Sequence, residues 1–98
     1  MNEGLSPTEN KKDPFSATFN SIKEFFQALE DLEEIGSMGN PVHLVLGKKG
    51  EILSCMGTDS RFYVFLKSKD EKIKYLQTCE SFNEAKAIAT QKGGQLNT

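Results

Sequence analysis

Apolar positions divide the chain into two helical and four extended segments. Ile22, Phe25, Phe26, Leu29 and Leu32 recur at spacings of three and four, with Ala28 and Ile35 at the margin of the stripe, and this predicts an amphipathic helix. Ser21-Ile22-Lys23-Glu24 supplies a capping box at its start, Phe19 stands where it can pack on Phe25, and Gly36 suits a terminator. Ser81-Phe82-Asn83-Glu84 repeats the capping box near the other end of the chain. There Phe82, Ala85, Ile88 and Ala89 face inward, and Lys92 with Gly93-Gly94 closes the helix.

Between these helices, runs of β-branched and aromatic residues alternate with turn chemistry. The richest run is residues 61–78, split by the polar turn Ser68-Lys69-Asp70-Glu71, and the chain reads as organised around this hairpin. That turn sets Lys67 against Lys72, Leu66 against Ile73 and Val64 against Tyr75. Residues 42–46 and 51–56 form a second hairpin about Gly47-Lys48-Lys49-Gly50. A three-residue loop with Gly50 in the left-handed position pairs Leu46 with Ile52 and Val42 with Met56, and gathers Val42, Leu44, Leu46, Ile52 and Met56 on one face. The turn Gly57-Thr58-Asp59-Ser60 joins the two hairpins.

The order α-β-β-β-β-α predicts an α+β fold: a four-stranded antiparallel meander with an N-terminal and a C-terminal helix on one face. The expected core is Phe25, Phe26, Leu29, Leu32, Leu44, Leu46, Ile52, Val64, Leu66, Ile73, Phe82 and Ile88. Residues 1–14, with Ser-Pro and Asp-Pro steps and no periodicity, read as a disordered polar tail; residues 15–94 as a single domain; residues 95–98 as a frayed C-terminus.

Charge adds an asymmetry to this picture. The 98 residues carry a net charge of −2, but residues 1–40 hold eight acids and three lysines while residues 41–98 hold six acids and nine bases. The acidic excess includes Glu30, Asp31, Glu33 and Glu34 near the end of the first helix, where the macrodipole disfavours them. No apolar run approaches the ~18 residues of a membrane span, and the start lacks the basic and apolar regions of a secretory signal, so a cytoplasmic protein without a membrane partner is expected. Export by a dedicated machine would leave no trace in hydropathy. Cys55 and Cys79 make no CxxC pair and read as thiols.

Candidate chemistry is sparse. His43 falls across from Cys55 in the expected register, the one pairing that offers an activated nucleophile, yet no third residue orients it. The chain reads as non-enzymatic, without a metal site or cofactor. The sheet face left open by the helices carries Arg61, Tyr63, Phe65, Lys67, Lys72 and Lys74, aromatic rings among cations. Such a face suits a protein partner, with Tyr63 and Phe65 as anchors, or alternatively single-stranded nucleic acid stacked on the rings. An edge strand also offers a route to a homodimer. Because the chain is net negative, a polyanion is the less favoured partner. The expectation is a small protein-interaction module of adaptor, inhibitor or effector type, binding through the open sheet face or the acidic first helix.

Overall fold

The computed structural model describes residues 13–32 and 34–97. The expected tail at 1–14 lies outside these residues apart from Asp13 and Pro14, which belong to a hydrogen-bonded turn. In it the Asp13 carboxylate accepts the Phe15 N–H at 3.0 Å and the Ser16 hydroxyl at 3.1 Å. After this turn come β1 (Thr18–Phe19), α1 (Ile22–Glu30), β2 (Val42–Gly47), β3 (Gly50–Met56), β4 (Phe62–Ser68), β5 (Ile73–Cys79) and α2 (Phe82–Gly93), followed by a 3-10 helix (Gly94–Asn97). The class is α+β, as expected. The sheet is antiparallel and has five strands in the order β1-β5-β4-β3-β2, since the two-residue β1 adds to the free side of β5.

The expected placement of both helices on one face is corrected: they cover opposite faces. Phe25 of α1 packs on Phe65 with ring centroids 5.1 Å apart, and Phe26 meets the same ring edge-on at 5.9 Å. Around them one core gathers Phe19, Leu29, Ile35, Leu53, Cys55, Tyr63 and Ile73. A second core lies under α2, where Ala85 and Ala89 meet Ile52, Val64, Cys79 and Leu96. Successive β4 residues feed the two cores in turn, as the twofold period of a strand requires. Small residues on α2 allow a close approach. A Cβ built on Gly93 would lie 2.6 Å from Val45 Cγ1, so Gly93 is packed against β2; it is the last residue of α2, and Gly94 caps the helix as expected.

Both hairpin registers differ from the sequence expectation, by one step next to the turn and by two beyond a bulge. In the second, Lys67 pairs with Ile73 and Phe65 with Tyr75, because Glu71 takes a left-handed φ of 67° and shortens the loop. A bulge between Val64 and Phe65 then carries the register one residue further, so that Val64 pairs with Gln77 where Tyr75 was expected. In the first, the loop is the tight two-residue form: Gly47 pairs with Gly50 and Leu46 with Glu51, and the register shifts between His43 and Val45. This scatters apolar residues over both faces, as a sheet buried on both sides needs. Leu46, an expected core residue, is consequently 79% exposed.

Both capping boxes form on one side: Ser21 Oγ accepts from Glu24 N at 3.1 Å and Ser81 Oγ from Glu84 N at 3.2 Å. Helix α1 stops at Glu30, before the expected terminator Gly36, and Ile35 enters the core from the following segment. The expected frayed C-terminus is also corrected. Leu96 is buried, and its carbonyl accepts the Lys49 N–H at 2.9 Å, tying the chain end to the β2–β3 turn.

These contacts set stability expectations, to be measured by urea unfolding. Phe65→Ala removes the ring on which both α1 aromatics rest and should cost about 3–5 kcal/mol. Leu46→Ala should change stability by no more than about 0.5 kcal/mol. Ser54 is buried with its hydroxyl unpaired, so Ser54→Ala should be neutral or stabilising by up to about 1 kcal/mol.

Candidate functional site

The turn between β3 and β4 builds a hydrogen-bonded polar cluster at the surface. Asp59 accepts the Arg61 N–H through one carboxylate oxygen at 3.1 Å and the Tyr63 hydroxyl through the other, so a single side chain fixes the turn and the first inward ring of β4. Ser60 adopts a left-handed φ of 68° between them. The turn is docked on the chain leaving α1. Thr58 N donates to Ser37 O at 3.0 Å, and Thr58 Oγ1 donates to Ile35 O at 3.2 Å. Gly36 has a φ of +75°, and a Cβ there would fall on the Thr58 hydroxyl, so this crossing requires glycine.

A cleft of about 300 Å³ opens beside this crossing, lined by Phe15, Glu34, Ile35, Asp59, Arg61, Tyr63 and Thr78. Ile35 and Tyr63 are buried. Phe15 is 41% exposed and leans edge-on against Tyr75, with centroids 4.8 Å apart. Two carboxylates and one guanidinium surround these apolar groups. Arg61 Nε lies 3.6 Å from Glu80 Oε2, an exposed pair of small energetic weight. The lining therefore carries two carboxylates, Glu34 and Asp59, against one guanidinium. Apolar surface beside carboxylates is chemically complementary to an amphipathic cation, a charged head on a methylene stem.

The structure divides the residues read from sequence as one sheet-face site. Tyr63 is 3% exposed and Phe65 fully buried beneath α1, so neither lies on an open face. No sheet face is left open for them, because the two helices take one side each. Arg61 sits at the β3–β4 end of the molecule. Lys67, Lys72 and Lys74 sit at the opposite end, where the Lys72 ammonium donates to Asn20 Oδ1 at 2.6 Å. Of the acidic group, Glu30 accepts the Met38 N–H at 3.0 Å and Asp31 accepts the Gln27 amide at 3.1 Å, while Glu34 lines the cleft. Glu33 lies outside the described residues.

The expected pairing of His43 with Cys55 is corrected as well. His43 is opposite Leu53, and its Nδ1 lies 2.7 Å from Glu51 Oε2 on the exposed surface. Cys55 is opposite Tyr63, and its thiol points to Tyr63 O at 3.8 Å. Burial pushes the Cys55 thiol up to about 12, away from thiolate chemistry. Burial also raises the Tyr63 phenol, and the Asp59 carboxylate adds to this by accepting its proton in a hydrogen bond. Cys79 is raised by burial, with the Glu84 charge adding to the effect. Among the described residues, no group of three or more histidine, cysteine or carboxylate side chains is placed to hold a metal, and no helix is long and apolar enough to cross a membrane. No protein-family model, curated protein or solved structure matches this chain.

Cys55 and Tyr63 set a direction for alkaline stability. The unfolded chain gives up the Cys55 proton near 9.0, whereas the folded chain holds it to about 12. This contribution is whole below about pH 9 and is lost as pH climbs towards 12. Tyr63 acts in the same sense from about pH 10 upward. Denaturant midpoints measured across this range should fall, and Cys55→Ala should flatten the early part of the fall. A disulfide-exchange reagent should reach Cys55 only once the protein unfolds.

Proposed function

We propose that this protein is a small non-catalytic interaction module that takes a basic segment of a protein partner at its acidic end. One observation carries the reading: the Glu34 and Asp59 carboxylates stand over the buried Ile35 and Tyr63, with exposed Phe15 at the lip of the same cleft. Glu30, Asp31 and Glu80 are exposed at this end too, and their field favours approach of a cationic partner. A lysine or arginine stem packs along the exposed Phe15 ring while its charged head meets the carboxylates. Phe15 supplies apolar area that the partner can cover.

The sheet-face versions of protein and nucleic-acid binding both need exposed rings, and Tyr63 and Phe65 are buried. The acidic end retains exposed groups of the kind that protein contacts use. A cytosolic setting belongs to the same reading, since both cysteines are free and buried.

The test compares cross-linked capture from lysate, with and without nuclease, by wild type, Phe15→Ala and Glu34→Lys, followed by titration of the partner identified. Phe15→Ala should weaken binding about tenfold, equivalent to ~1.4 kcal/mol. Glu34→Lys should weaken it further and reduce the association rate most. Capture that disappears with nuclease, or a partner indifferent to both changes, would overturn the proposal.

A further inference from the structure

The opposite end of the sheet carries the opposite charge on a pinned scaffold. The β2–β3 and β4–β5 turns lie side by side there, and the Lys69 N–H donates to Lys49 O at 3.2 Å. Lys49 N is itself held by Leu96 O. Residues 47–51 and 67–74 together hold six lysines and three acids, a local charge of +3. Two of the three acids are already engaged, Glu51 by His43 and Asp70 by the Ser68 hydroxyl. Beside the lysines stands Leu46, the most exposed large apolar side chain of the described residues. It lies in one cross-strand row with Glu51 and Lys67.

We propose that this end docks on an anionic lipid surface, with the lysines meeting headgroup phosphates and carboxylates and Leu46 entering the acyl boundary. The inference does not depend on the partner assigned to the cleft. Three features favour a bilayer over nucleic acid. The end is made of two hairpin turns, which are convex, so it suits a surface better than it encloses a strand. Tyr63 and Phe65, the rings of this hairpin that would stack on bases, are buried. Leu46 gains nothing from a phosphate backbone, but it gains from hydrocarbon. The acidic residues around the cleft are repelled by the same anionic surface, which orients the molecule with its cleft outward. One apolar side chain with a cluster of cations gives reversible attachment.

The experiment is co-sedimentation of the full chain with vesicles of phosphatidylcholine alone and of phosphatidylcholine mixed with phosphatidylserine. Binding is expected to the mixed vesicles only and to fall as salt rises. Each lysine removed should cost about fivefold in partition, so Lys49→Ala/Lys69→Ala should bind about 25-fold more weakly. Leu46→Ser should also bind more weakly, and Lys86→Ala, which removes the same charge from exposed α2, should match wild type. Circular dichroism and unfolding midpoints establish that the variants are folded. Absence of binding to mixed vesicles, equal binding to both compositions, or full binding by Leu46→Ser overturns the proposal. Oligodeoxythymidylate binding in place of vesicle binding overturns it in favour of nucleic acid.

Discussion

The structure depends on β4 being buried on both faces. It is the middle strand of five, and its residues alternate between Tyr63 and Phe65 on the α1 side and Phe62, Val64 and Leu66 on the α2 side. An antiparallel sheet can leave one face to water, but a strand apolar on both faces cannot. Each helix therefore answers one half of β4, and each does so differently. Helix α1 brings large rings, Phe25 and Phe26, onto Phe65. Helix α2 brings small residues, Ala85, Ala89 and Gly93, so its backbone comes close to the sheet and the strands supply the bulk. Loss of either helix would expose half of the central strand.

This constraint was present in the sequence and is the reason one inference from it failed. Residues 62–66 are apolar without interruption, a run that fits a strand covered on both sides. Reading Tyr63 and Phe65 as surface anchors gave weight to their association with lysines and too little to that unbroken run. The helices, their capping residues and the class followed from local chemistry, because caps and threefold-fourfold spacing act over a few residues. Register did not follow, because it rests on turn conformations that residue types mark weakly. Glu71 is left-handed without being glycine, and nothing in its type announces this. The choice of a longer first loop rested on gathering apolar residues on one face, which is the wrong criterion for a sheet with two cores. A two-residue β1 and a 3-10 helix at the chain end are too short to carry any periodic signal.

The candidate site was legible in part. Glu34 was marked as an acidic surface residue and Arg61 as a contact residue, and both line the cleft. Ile35 adjoins Glu34 in the chain, but Phe15 and Thr78 come from distant segments, and only tertiary packing brings them here. Asp59 carried a usable signal. An aspartate in a Gly-Thr-Asp-Ser turn is placed to accept backbone N–H groups, and here it accepts the Arg61 N–H together with the Tyr63 hydroxyl. Cys55 and His43 show the reverse. Their apparent adjacency depended on a register that the bulge in β2 abolishes.

Charge separation along the strands follows from connectivity and from which turns hold lysine. In a meander, the β2–β3 and β4–β5 turns must fall at one end and the β3–β4 turn at the other. The first two hold lysines, and the third holds Asp59. The helices run in opposite directions between these ends, so a uniform dipole rule would charge them oppositely. Helix α2 obeys it, with Glu84 in its first turn and Lys92 in its last. Helix α1 does not: Glu24 suits its start, but Glu30 ends the helix and Asp31 follows as its cap, each unfavourable by about 0.3–1 kcal/mol if exposed and unpaired. The Met38 N–H and the Gln27 amide offset part of this. Helix stability alone therefore does not account for acids at the end of α1. These acids stand at the same end of the molecule as Glu34 and Asp59, so the negative charge of the α1 terminus and of the cleft is continuous.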